Sequence, residues 1–237
     1  MGSSSAQSSW DEIYGTGNKY LAEPPVEFVH TIVRQVKEYN LSDNRGLYIG
    51  CGNGRNYIPL VNKGLDILGL DISHIALNQL AEKRPDVSNT LVHSDFLGFN
   101  PNYVFSYIIS IQVFQHGDWQ QVQQLFKKVY NLLDSGGLFF LRVRSVNMVI
   151  NHTYQIVEHT PYGGFTVRFE KDSKKDLDIH YFSIEELNFL TSNNFVAIEL
   201  HARESALAFY KSLHYTQIGD EFTEVGLPHF KMKKLIL

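Results

Sequence analysis

Directly after the apolar run Leu47-Tyr48-Ile49, the chain places glycine at every second position, Gly50, Gly52 and Gly54, in the stretch YIGCGNGRNYIP. A glycine loop between an apolar strand and a helix turns sharply and lets the backbone approach a ligand, because no Cβ stands in the way. Arg55 occupies the place of the last glycine in the dinucleotide fingerprint G-x-G-x-x-G, and no Lys-Ser/Thr pair follows, so neither NAD nor ATP is the natural ligand. Asp71 ends the next apolar run, ILGLD, about 20 residues beyond the first glycine, where a carboxylate accepts the hydroxyls of a ribose. The pattern calls for a ligand with a free ribose diol and no need of a pyrophosphate.

The rest of the chain supports an alternating α/β architecture. Val26, Val29, Ile32, Val33 and Val36 recur at the helical interval before the loop. Tyr57 to Val61 begins a helix that stops at Gly64, and Ser73 caps the next, through Leu80. Asn89 to Val92 and Tyr103 to Ile111 read as strands, the second apolar on both faces as in the centre of a parallel sheet. Asp118 opens a helix that DSGG ends, LFFLRVR (Leu138 to Arg144) is a fifth strand, and FVAIEL (Phe195 to Leu200) a sixth. The expected fold is an open sheet of this kind with its ligand at the carboxyl ends of the strands.

Composition sets outer bounds. The 237 residues, 43% hydrophobic and 19% charged, suffice for one large domain. A net charge of -4 and a pI near 6.2 disfavour nucleic acid as a partner. The single cysteine, Cys51, forms no intramolecular disulfide and fits a reducing compartment, and no apolar stretch has the length of a membrane span, so a cytoplasmic protein is expected. Met1 to Ser9, rich in serine, reads as a flexible leader. The ten histidines are scattered and form no ligand pair, so no metal site is expected.

Taken together, these residues resemble the class I S-adenosylmethionine-dependent methyltransferases from Trp10 to about Leu200. LYIGCGNGRN is similar to the family's first motif, LGLDIS to its second, HSDFLGF to its adenine-binding segment, YIISIQVFQHG to its fourth strand and LLDSGGLFFLRVR to its turn and fifth strand. Ser106 and Asp134-Ser135 depart from the usual residues, outside the cofactor contacts. The resemblance implies a Rossmann-like, seven-stranded, mostly parallel sheet of order 3-2-1-4-5-7-6 with helices on both faces. It implies S-adenosylmethionine as cofactor and S-adenosylhomocysteine as product. Gly50, Cys51, Gly52, Asn53, Gly54 and Asn56 would then hold the methionine end, Asp71 and Ile72 the ribose, and Asp95 and Phe96 the adenine. Ile111, Gln112 and Val113 would back the methionine moiety, and an N-terminal lid would bring Tyr14 over the cofactor and Trp10 and Tyr20 over the acceptor.

Methyl transfer from a sulfonium needs chiefly an acceptor held in line, and a base only where the acceptor carries a proton. His116, after the fourth strand, is the candidate base, with packing as its other reading. Arg142 and Arg144, on one face of the fifth strand, are candidates for a substrate carboxylate or for a structural ion pair. The long connection Ser145 to Tyr181 suits a substrate cap. The acidic pI, the lack of an RNA-binding appendage and the lack of an Asn/Asp-Pro-Pro-aromatic segment after strand four favour a small-molecule acceptor over RNA or protein. The tail, residues 201–237, resembles the end of GNAT N-acetyltransferases in Ala202-Arg203, Ala206, Phe209-Tyr210, Leu213 and GLPHFKM, with His214 where that family has glycine and no acetyl-CoA pyrophosphate loop anywhere. It is expected to complete the same domain, either in cis or by exchange between two chains of a homodimer. An acetyltransferase and a non-catalytic cofactor-binding protein are the remaining readings.

Overall fold

The computed structural model describes residues 3–16, 23–171, 177–192, 195–224 and 226–235. The chain divides into two compact units at Ser183/Ile184, earlier than the boundary expected near residue 200.

The first unit contains helices α1 (Ser3–Gly15), α2 (Phe28–Glu38), α3 (Tyr57–Asn62), α4 (His74–Lys83) and α5 (Trp119–Leu132). Strands β1 (Gly46–Ile49), β2 (Ile67–Asp71), β3 (Leu91–His93), β4 (Phe105–Ile111) and β5 (Leu133–Arg142) form one parallel sheet in the order β3-β2-β1-β4-β5. Every residue of β1 and β2 is buried. Side chains of a strand alternate between faces, so burial of consecutive residues requires cover on both. Val29, Ile32 and Val36 of α2 share one core with Tyr48, Tyr107 and Ile109. The strands arise where the residues promised them, because the apolar runs are too short for helices and too continuous for a half-exposed sheet, and their order 3-2-1-4-5 is the first part of the one the resemblance implies.

Capping follows the sequence closely. Ser73 Oγ accepts from the Ala76 N–H at the start of α4, and Asp118 and Gln121 form a reciprocal capping box on α5. DSGG differs from expectation: it is the first part of β5, which follows α5 directly and is out of register with β4 between Phe105 and Tyr107.

Two further regions depart from the expectation. The serine-rich leader is helical from Ser3, and the helix is anchored through Asp11, whose Oδ1 accepts from Ser73 Oγ (2.6 Å) and whose Oδ2 lies 3.0 Å from His74 Nδ1. The long connection after β5 holds an antiparallel sheet of β6 (Tyr154–His159), β7 (Phe165–Phe169) and β8 (Asp178–Tyr181).

The second unit contains α6 (Ile184–Thr191), β9 (Ala197–Arg203), α7 (Leu207–Ser212), β10 (Thr216–Gln217), β11 (Phe222–Glu224) and β12 (Leu227–Leu235). Here the seven-stranded expectation needs correction: among the described residues the parallel sheet has five strands. The expected sixth strand, as β9, runs antiparallel to β12 from Ala197↔Leu235 to Arg203↔His229, in a sheet with β10 and β11. Glu199 adds ion pairs to Lys231 (2.9 Å) and Lys233 (3.1 Å), and Ala202, Tyr215 and Met232 form a separate small core. Among the described residues no helix is long and apolar enough to cross a membrane.

Candidate active site

The loop after β1 takes the conformation its glycines permit. Gly50, Gly52 and Gly54 have φ of 72°, 54° and 94°, in the left-handed region that side chains resist. A Cβ on Gly50 would overlap Val113 Cγ2, and one on Gly52 would stand 2.5 Å from Tyr14 Oη. Gly54 serves another purpose: it stands outside the cleft lining, where a Cβ would meet Leu80 Cδ1 at 2.5 Å, so it packs the loop against α4.

Asp71 fixes this loop. Its Oδ2 accepts from the Gly52 N–H (2.7 Å) and its Oδ1 from the Ser73 N–H (2.8 Å). Burial pushes its carboxyl up to about 6, and these backbone donors work against that shift. Cys51 is buried, and burial raises its thiol well above the ordinary range, which makes it a small apolar filler. Asn56 Oδ1 accepts from the Val26 N–H (2.9 Å). Arg55 holds Pro24 O (2.7 Å) and Glu23 (2.6 Å), so the segment before α2 is tied to the loop. The Lys83 ammonium reaches Asn53 O at 3.1 Å.

The loop, the strand ends and α1 line a cleft of about 590 Å³. It brings together Trp10, Tyr14, Gly50, Cys51, Gly52, Asn53, Asn56, Asp71, Ile72, Asp95, Phe96, Ile111, Gln112, Val113, His116, Arg142 and Arg144 from the sequence reading. Tyr20 lies outside the described residues. Gln79 Nε2 donates to Tyr14 O (3.0 Å), and the Trp10 ring meets His116 edge-on at 5.0 Å. Phe96 is buried beside Phe114, with the Lys128 ammonium 5.5 Å above its ring.

At the end of β4, Gln112 has φ 59°, and its N–H donates to Arg142 O (2.7 Å). A non-glycine residue in that region carries strain and marks a site that the surroundings over-determine. The following turn is hydrogen-bonded to β8: the His180 N–H donates to Gln115 O (2.7 Å) and the Gly117 N–H to Asp178 O (3.1 Å). Arg144 Nη1 donates to Tyr181 Oη (2.7 Å), and its guanidinium lies over the Tyr181 ring at 5.6 Å.

Sequence reasoning missed Gln115, Glu23, Val26 and Ser94 among the lining residues. Gln115 is 1% exposed, and its Oε1 has no hydrogen-bond partner among the described residues. A glutamine one residue from the candidate base carries no signal of its own. Among the described residues no group of three or more His, Cys, Asp or Glu could hold a metal ion.

Residues 47–139 match the family Methyltransf_12, a methyltransferase domain. A curated relative, thiocyanate methyltransferase 1 of Brassica oleracea, is 31% identical over 110 residues, which are 45% of this chain and 49% of that protein. The match therefore spans about half the length of that relative. Among solved structures, the CcbJ methyltransferase of Streptomyces caelestis superposes with a TM-score of 0.61 at 16% identity, over 97% of this chain and 98% of that one. CalS10, an amino pentose methyltransferase from Micromonospora echinaspora solved with S-adenosylmethionine, gives 0.59 at 12% identity over 93% and 96%. The 1,6-didemethyltoxoflavin-N1-methyltransferase of Burkholderia thailandensis, with bound 1,6-didemethyltoxoflavin and S-adenosylhomocysteine, gives 0.56 at 13% over 98% and 87%. At these identities the structural likeness is one of fold, and because it extends over nearly the whole chain, the resemblance of the tail to an acetyltransferase gains no support. Residues 47–139 thus match a methyltransferase domain, and the chain as a whole shares its fold with solved methyltransferases.

Proposed function

We propose that the protein transfers a methyl group from S-adenosylmethionine to a small-molecule acceptor. The observation that carries this reading is the Asp71 carboxylate, buried at the end of β2, bonded to the N–H of the glycine loop and lining the cleft. Each carboxylate oxygen engages one backbone donor and keeps a second lone pair for a ribose hydroxyl. The donor set therefore fits the cofactor: acceptors at the ends of β2 and β3, a backbone loop in the middle, and room of about 590 Å³.

In this reading Gly50, Cys51, Gly52, Asn53, Asn56 and Tyr14 hold the methionine end. Asp71 and Ile72 take the ribose, Asp95 and Phe96 the adenine, and Ile111, Gln112 and Val113 back the reacting end. Bound there, S-adenosylmethionine supplies a sulfonium methyl, which an acceptor lone pair takes in line while the C–S pair stays on sulfur. The chain's contribution is mainly to hold the acceptor against that methyl, worth on the order of 7–11 kcal/mol of barrier. Trp10, Arg142 and Arg144 surround the acceptor, and His116 accepts its proton where it carries one.

A small acceptor is supported by the acidic pI and the relatives, whose names give thiocyanate, an amino pentose and a didemethyltoxoflavin as their acceptors. Calorimetric titration with S-adenosylhomocysteine tests the reading. Tight binding is expected, weakened about ten- to a hundredfold by Asp71→Ala. Failure of the wild-type protein to bind it would overturn the assignment. Turnover with any acceptor separates the enzyme from a non-catalytic binder.

A further inference from the structure

The two ends of the cleft carry opposite charge. Its acidic lining residues are Glu23, Asp71 and Asp95. Glu23 is paired with Arg55, and Asp71 and Asp95 sit at the ends of β2 and just past β3. Arg142 ends β5 and Arg144 follows two residues later. In the order β3-β2-β1-β4-β5, β2 and β5 are three strand spacings apart, about 14 Å. Hydroxyl and amino donors suit the first end, while the second holds two guanidinium groups.

Among the described residues no carboxylate pairs with Arg142 or Arg144. Among the described residues the Arg144 guanidinium hydrogen-bonds only the Tyr181 hydroxyl, and its Nε is buried without a hydrogen-bond partner. The platform is rigid: Tyr181 is fully buried and stacks on Phe165 at 5.2 Å and 9°. An ion pair is one of the two readings open to these arginines from sequence, and the described residues supply no partner for one. A positive group fixed on aromatic rings and facing a cleft is poised for an anion, with a planar fork that meets a carboxylate or phosphate by two parallel bonds.

We propose that the acceptor bears an oxyanion, a carboxylate or a phosphate, which Arg144, supported by Tyr181 and aided by Arg142, holds so that the nucleophilic atom faces the methyl. Trp10 and His116 form the aromatic wall of that end. The assignment rests on the proposed methyl transfer, since it takes the cofactor to lie over β2, β1 and β4.

The test uses the full chain loaded with S-adenosylhomocysteine and three probes: benzoate, phenyl phosphate and the neutral benzamide. Binding is followed by ligand-observed NMR. At least one anionic probe is expected to bind tenfold or more tighter than benzamide, and which of the two does so tells carboxylate from phosphate. Arg144→Met should remove that preference and Arg144→Lys retain part of it, with S-adenosylhomocysteine affinity unchanged in both, which also certifies folding. Equal binding of benzamide and the anions, or an anion preference that survives Arg144→Met, overturns the proposal. Failure of S-adenosylhomocysteine itself to bind strikes instead at the methyltransferase reading.

Discussion

The two ends of the cleft are built by different means. At the β1 and β2 end, backbone does the shaping: three left-handed glycines, a carboxylate bridging two N–H groups, and a capping serine, all between residues 50 and 73. At the β4 and β5 end, side chains from distant segments do it: Arg144 on Tyr181, 37 residues away, and His116 against Trp10 of the N-terminal helix. A site made from local backbone leaves a spaced signature in the sequence. A site made from tertiary contacts leaves only residue types.

The contrast can be broken most forcefully at Gly50. Gly50→Val should destabilise the first unit by about 2–4 kcal/mol, because the side chain meets both a φ of 72° and Val113. A thermal melt reads this, and a wild-type melting temperature would show that the loop tolerates a Cβ and is not dictated by its glycines.

The next effect is one of pH. Burial raises the Asp71 carboxyl from 3.8 to about 6, so between those values the folded chain keeps a proton that the unfolded chain has lost. Stability from this group is therefore greater at low pH and declines as pH rises through that window, by up to about 3 kcal/mol. Ligand affinity should move the opposite way, falling below pH 6 as the carboxylate proposed to hold the ribose is protonated. Urea melts and S-adenosylhomocysteine titrations at pH 4.5 and 7, beside Asp71→Asn, separate the two. A variant with the wild-type pH slope would remove Asp71 from both roles.

The smallest effect sharpens the comparison from the other end. Gln112→Gly should leave stability unchanged or raise it by less than about 1 kcal/mol, since it relieves a φ of 59° at an exposed position. A clear loss of stability in chemical denaturation would mean that the glutamine side chain itself holds the β4 end.

Much of the fold was legible. The strands β1, β2 and β4 are short apolar runs bounded by turns, and Ser73 and Asp118 cap the helices their spacing announces. The helical leader was not legible, because its serines lack periodicity and the contacts that anchor the helix, those of Asp11, Tyr14 and Trp10, reach across more than 60 residues. Gly54 looked like its neighbours in the loop, yet it serves packing against Leu80, a contact that exists only once α4 has folded beside it.

The sequence by itself determined the parallel sheet, the loop conformation and the carboxylate that meets it, since glycine torsions, capping and strand burial are set by residues close along the chain. Tertiary structure alone decided that β9 would pair with β12, that the connection after β5 would form its own sheet, and that Arg144 would rest on Tyr181. Those outcomes depend on which distant surfaces meet, and chain spacing carries no record of that.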